Sequence, residues 1–187
     1  MTFSLAPLRP RAAAVLTLAI ALLVPAAAQA QSGGGLSSKS AESQLPPKVV
    51  PGAKAKLTAN GKAIPPAGAP AQVKAVIAAG NRIAHKPYKW GGGHARLNDS
   101  GYDCSGSVSY ALRRAGLMSY SLPSGPFMSW GQRGPGRWIT LRTNPGHIYM
   151  VVAGLRFDTS ARSASGSRWT AVPRSARGFV ARHPAGF

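Results

Sequence analysis

The sequence contains a single cysteine, Cys104, and its setting is that of a reactive thiol. Asp103, Cys104 and Ser105 precede Val108, Ala111, Leu112 and Ala115, whose spacing repeats like one face of an α-helix. Cys104 is therefore expected in the first helical turn, where unpaired backbone N–H groups and the helix dipole favour an anion. An unperturbed thiol with a pKa of about 8.5 is only about 3% thiolate at pH 7, so a downward shift there is what makes a nucleophile. A lone cysteine is more often a small buried hydrophobe. The polar neighbours and the helix start argue for the reactive reading.

A thiol nucleophile needs a base, and the chain offers His85, His94, His147 and His183. His147 opens a predicted strand over residues 147–152, and Gly154 turns the chain into another over 155–159. With the turn centred on Ala153 and Gly154, Tyr149 falls opposite Asp158, and His147 lies diagonally beside that carboxylate, within side-chain reach. A carboxylate so placed holds one imidazole nitrogen and leaves the other free as a base. A glycine bulge would shift the register and put Thr159 or another group beside the histidine instead. His94, in a glycine loop ten residues before the cysteine, is the competing base. His183, between Arg182 and Pro184, is expected at the surface.

These side chains need a frame. Val73, Val76, Ile77, Ala79 and Ile83 predict a first helix over residues 72–85, which Pro87 ends. A second helix carries Cys104, with Asp99 or Asp103 as its N-cap and Gly116 as its C-cap. Between them, Tyr88-Lys89-Trp90 leads into Gly91-Gly92-Gly93; Trp90 is expected in the core. Residues 118–136, rich in Ser, Gly and Pro with Phe127, Met128 and Trp130 inserted, read as a long ordered loop that walls a cleft. Strands follow at residues 137–141, 147–152 and 155–159, the first two joined by turn chemistry at Thr143-Asn144-Pro145-Gly146. Ile148, Met150, Val152, Leu155 and Phe157 form one uniformly apolar face. Helices followed by a run of antiparallel strands make an α+β domain, with N-terminal helices packed on the sheet.

Residues 1–30 read as a secretory signal peptide: Arg9 and Arg11, an apolar run from Ala12 to Val24, and Ala28-Gln29-Ala30 as the cleavage site. The run is too short for a permanent membrane anchor, so no stable insertion is expected after cleavage. Residues 31–70, rich in Gly, Ser, Pro, Ala and Lys, read as a flexible tether. Residues 71–187 form the folded domain. One cysteine in an exported chain cannot close an internal disulfide, which again favours a functional thiol.

Charge narrows the partners. The chain has a formal net charge of +19, which draws it to anionic envelope polymers. A nucleic-acid partner rests on charge alone and is set aside. Residues 71–187 contain Asp99, Asp103 and Asp158 and no glutamate, a poor basis for the paired carboxylates of a glycosidase. The histidines follow no H-E-x-x-H spacing and C-x-x-C is absent, so no metal is expected, and a thiol nucleophile with its base needs no other cofactor.

Tyr88-Lys89-Trp90-Gly91-Gly92, then Asp103-Cys104-Ser105-Gly106, then Gly146-His147-Ile148-Tyr149 opening a hairpin resembles the NlpC-type family of cell-wall endopeptidases over roughly residues 72–160. The resemblance implies a papain-like cysteine peptidase fold and hydrolysis of peptidoglycan stem peptides by a secreted or wall-associated monomer. It implies Cys104 as nucleophile, His147 as general base, and a polar third residue near Asp158. Tyr88, Asp103 and Ser105 match positions that line the cleft. The family's Gly-Asp-Leu strand is replaced here by Gly136-Arg137-Trp138-Ile139, and an aspartate in the orienting position is less usual. The basic segment after Ser160 has no counterpart in the core motif. Two alternatives differ in chemistry: an amidase or acyl transferase using the same dyad, and a non-catalytic cationic wall-binding module.

Overall fold

A computed structural model describes residues 48–187; the signal-peptide reading and residues 31–47 of the tether lie outside it. The described chain is an α+β domain. Its elements are β1 (Lys56–Leu57), β2 (Ala63–Ile64), α1 (Ala71–Ile83), α2 (Cys104–Arg114), α3 (Ser124–Phe127), β3 (Gln132–Arg133), β4 (Ile139–Thr143), β5 (Ile148–Val152), β6 (Leu155–Phe157), α4 (Ala161–Ser165), β7 (Trp169–Thr170) and β8 (Val180–His183). The last six strands form one sheet in the order β3-β8-β4-β5-β6-β7, antiparallel at every pair. None of the described helices is long and apolar enough to cross a membrane.

Both main helices form for the reasons their spacing suggests. In α1, Val73, Val76, Ile77, Gly80 and Ile83 share the buried stripe, the 3.6-residue repeat of a helix facing a core. In α2, Asp103 is the N-cap, its side chain accepting from the Gly106 N–H at 2.6 Å. Its other end is closed by Gly116 in the left-handed region (φ 71°). There Leu117 N–H donates to the Leu112 carbonyl and Gly116 N–H to that of Arg113, the paired bonds that satisfy a helix's last acceptors.

The two helices pack on each other and on β5. The sheet meets them with Ile139, Leu141, Ile148, Met150, Val152, Leu155 and Phe157, all at most 5% exposed. This is the predicted apolar face of the hairpin. The predicted register also holds: Val152 pairs with Leu155 and Met150 with Phe157. A two-residue turn does this, with Ala153 (φ 47°) and Gly154 (φ 85°) both at positive φ, the combination whose twist suits a tight hairpin.

Besides shifts of element bounds, with β4 at Ile139–Thr143 and β6 ending at Phe157, the structure differs from the sequence reading in the following respects. Residues 48–70, assigned to the tether, belong to the domain: β1 and β2 pair, and Asn81 of α1 clamps Ala63 with two 2.8 Å bonds, one to its N–H and one from the amide to its carbonyl. Backbone bonds and scattered small apolar side chains hold this segment, Ala63 and Ala69 in the core with Ala55 and Leu57 against it, so its proline-rich composition without periodicity gave no sign of it. Trp90, expected in the core, is 87% exposed. Its glycine turn packs backbone against backbone, with the Gly92 carbonyl so close to Gly106 that a Cβ would collide, and no room is left beneath for an indole. His183, expected at the surface, is half-buried in β8, its ring bonded to the Gly134 carbonyl and Gln132 Oε1 at 3.0 Å each.

Arg168 is a cation at the centre of the fold, with no exposed surface. Its guanidinium donates to the carbonyls of Ile83, Lys86, Pro87 and Tyr102, tying the end of α1 to the segment entering α2. Burial lowers its pKa to about 10, still far enough above neutrality for the charge to persist. Replacing it by methionine leaves the Lys86 and Tyr102 carbonyls without a donor, each costing about 1–3 kcal/mol, while those of Ile83 and Pro87 keep the N–H groups of Lys86 and Tyr102. Arg168→Met is expected to lose about 3 kcal/mol or more in denaturant unfolding; an unchanged unfolding midpoint would show that the carbonyls find other partners.

Candidate active site

Cys104 is the first residue of α2, as its spacing predicts. The first N–H groups of a helix have no partner one turn back. Here the Asp103 side chain takes that of Gly106 and the Asp103 carbonyl takes that of Ser107, so those of Cys104 and Ser105 point out of the helix start unspent. Asp103 also accepts from the Gly91 N–H at 3.1 Å, which fixes the Tyr88–Trp90 loop to the same turn. Ser105 Oγ and His94 Nε2 both sit 3.2 Å from Asp103 Oδ1 and 3.1 Å from each other. His94, the competing base, is thus engaged by Asp103 and Ser105.

His147 arrives from the sheet. Thr143 pairs with Ile148, and the Asn144 side chain accepts from the N–H groups of Gly146 (3.0 Å) and His147 (2.8 Å), an Asx turn that delivers the imidazole at the start of β5. Ser124 braces this turn through its hydroxyl to the Pro145 carbonyl at 3.0 Å; residues 118–136, expected as one long loop, contain α3 and β3, and Pro123 and Ser124 at the start of α3 line the cleft.

The imidazole Nε2 lies 3.0 Å from Asp158 Oδ1. Burial alone would raise the Asp158 pKa, but the His147 bond, the Ser160 hydroxyl and N–H, and the His147 charge outweigh it and hold the carboxyl well below its usual range. An ionised carboxylate only accepts, so Nε2 carries the hydrogen, and Nδ1 is the nitrogen left for the sulfur. Thr159, the alternative third residue, bonds instead to Ser107 Oγ and the Asp103 carbonyl. Sequence reasoning missed the cations behind Asp158: Arg174 Nη1 is 3.0 Å from Oδ2 and Arg156 Nε 3.5 Å. Arg156 stands two residues before Asp158, on the same side of its strand, and was legible there; Arg174 comes from irregular chain and carried no such signal.

The electrostatics of the pair run in opposite directions. For Cys104, burial is the largest single influence and opposes ionisation, yet the hydrogen-bonding His147 side chain, the Ile148 N–H and the histidine's charge together bring the pKa down. For His147, the Asp158 hydrogen bond leads, the Cys104 interaction adds to it, and burial opposes; the pKa rises to about 9. A lowered thiol beside a raised imidazole favours the thiolate–imidazolium pair.

Two cavities meet at the sulfur. One, of about 380 Å³, is lined by Tyr88, Cys104, Gly146, His147, Thr159 and Ser160 among others. The second, of about 460 Å³, shares Tyr88, Cys104 and Gly146 and extends past Trp90, Asp103 and Ser105. Every residue assigned to the site by the sequence, Cys104, His147, Asp158, Tyr88, Asp103 and Ser105, therefore lines this cleft or supports a residue that does. Tyr88 is more than half exposed; the slight desolvation of its phenol and the negative charges of Asp103 and Cys104 raise its pKa, so it stays protonated and able to donate. Among the described residues no cluster of three or more His, Cys, Asp or Glu side chains could hold a metal ion. Compared with models of known protein families and with curated proteins, the chain has no match.

The His147–Asp158 pair has a pH signature. Because the folded pKa of His147 is raised, its stabilisation is fully present below about 6.5, the unfolded value, and fades as pH rises through about 9. The depressed Asp158 acts oppositely, its contribution present above about 3.9 and lost as pH falls. NMR titration of the His147 ring is expected to give a midpoint near 9, moving down toward about 6.5 in Asp158→Asn. A midpoint that ignores the substitution would contradict the coupling.

Proposed function

We propose that the chain is an exported, papain-like cysteine endopeptidase that hydrolyses peptide bonds in peptidoglycan stem peptides. The observation that carries this is the convergence of a helix-start thiol with a lowered pKa and a carboxylate-held imidazole on one open cleft. The substrate class is supported by the resemblance of the Tyr88–Gly92, Asp103–Gly106 and Gly146–Tyr149 motifs to the NlpC-type family. The net charge of +19 suits retention at anionic envelope polymers, through contacts that salt would weaken.

The chemistry follows from the groups in place. Thiolate Cys104 attacks the carbonyl carbon, and the oxygen takes up the electron pair of the C=O bond. The unspent N–H groups of Cys104 and Ser105 meet that oxyanion, with the Tyr88 hydroxyl at the cleft wall as a further donor. As the C–N bond breaks, His147 gives its Nδ1 proton to the leaving amine, and the acyl group remains on sulfur as a thioester. Neutral His147 then takes a proton from water, whose oxygen attacks the thioester. The products are a carboxylic acid and regenerated thiolate beside the imidazolium. Asp158 holds its charge throughout and keeps the imidazole from turning.

Cys104→Ala removes the attacking atom, leaves the Asp103 cap in place and keeps a small apolar side chain where Cys104 packs at the edge of the core. Digestion of purified muropeptides, read by mass spectrometry, is expected to fall by about 10³-fold or more, with circular dichroism unchanged. Cleavage at the wild-type rate by this variant would end the peptidase reading. Binding to the wall without any cleavage by the wild type would favour a cationic binding module.

A further inference from the structure

The cavity on the histidine side of Cys104 contains a cation for which the proposed reaction has no use. Arg162 lines it together with Cys104, His147 and Ser160. The residue is half-buried, and its Nε donates to the His85 carbonyl at 3.3 Å. That bond holds the side chain by its stem and leaves the two terminal nitrogens for a ligand.

No acid answers this charge among the described residues. Their side-chain carboxylates are Asp99, Asp103 and Asp158, and the ion pairs these make are with Lys89, His94, His147, Arg156 and Arg174. The charge of buried Arg168 is close enough for Arg162 to help lower its pKa. A second cation nearby strengthens the local positive potential. A guanidinium in a partly desolvated cavity is matched best by a carboxylate, which it can grip with two parallel hydrogen bonds.

The cleft also has a direction. His147, which must protonate the leaving amine, lines the Arg162 cavity and not the cavity of Trp90, Asp103 and Ser105. The amine-side fragment of the substrate therefore lies over Arg162, and the acyl side runs toward Trp90. We propose that Arg162 binds a free carboxylate on the amine-side fragment, close to the scissile bond, and selects peptides that carry it over those in which it is amidated. This rests on the peptidase reading above. A carboxamide at the same place would leave the guanidinium desolvated without a counter-charge, which is how a polar site rejects a near-isostere.

The test uses two stem tetrapeptides, identical except that the carboxylates beyond the cleaved bond are free in one and amidated in the other. The wild type is expected to prefer the free acid by about 10- to 100-fold in kcat/KM, the range of a charge-assisted hydrogen bond. In Arg162→Gln the ratio collapses to within about twofold, and Arg162→Lys, which keeps the charge and loses the fork, falls between. A wild type indifferent to amidation, or a preference that survives Arg162→Gln, overturns the proposal. Calorimetric binding of the same two peptides to Cys104→Ala, with and without Arg162→Gln, separates the two claims. If the wild type cleaves neither peptide, the peptidase reading fails, while tighter binding of the free acid that depends on Arg162 still upholds the carboxylate site. Equal binding of both peptides rejects it.

Discussion

Asp158 keeps a negative charge where water does not reach, and the chemistry of the site depends on that charge being compensated. A carboxyl group buried alone would take up a proton. Here Oδ1 receives the His147 ring N–H and both the N–H and hydroxyl of Ser160, while Oδ2 faces Arg174 and Arg156. Arg174 is itself steadied over the rings of Tyr149 and Phe179 at 5.6 and 5.5 Å. With its charge retained, the carboxylate sets the imidazole's tautomer, leaves Nδ1 free for the thiol and raises the histidine's hold on its proton. A domain with so few acids spends this one on orienting its base.

Nucleophile and base come from opposite halves of the domain, and two layers of contact set the distance between them. The coarse layer is the core, where the apolar face of β4, β5 and β6 closes on α1 and α2. The fine layer is polar: Thr159, the residue after Asp158, bonds to the carbonyl of Asp103, the residue before Cys104, and to Ser107 one turn further on. The chain leaving β6, which supplies the orienting carboxylate, is thereby tied to the helix that supplies the thiol. Movement of one half against the other would break bonds adjacent to both groups.

What was legible in the sequence is what local rules control. The helix start at Cys104 followed from apolar spacing and a capping aspartate, and the His147–Asp158 contact from counting outward from Ala153-Gly154. The less legible features come from chain far apart in sequence. Arg168 binds carbonyls of residues 83–102 through no pattern of its own, and Arg174 reaches Asp158 from irregular backbone. Residues 48–70 join the fold through backbone bonds, the Asn81 clamp and isolated alanines in the core, none of which makes a periodic pattern. Trp90 shows the converse: a large aromatic suggests a core, but the glycines after it let two backbones touch and leave it outside.

The central claim is that His147 makes the Cys104 thiol acidic, and the rate of alkylation by iodoacetamide as a function of pH measures this directly. The wild type should react with a midpoint below that of an ordinary thiol, about 8.5, and His147→Ala should return it to that value or above, since burial is then unopposed by the imidazole. A wild-type midpoint at or above 8.5, or one that His147→Ala leaves in place, would contradict the account.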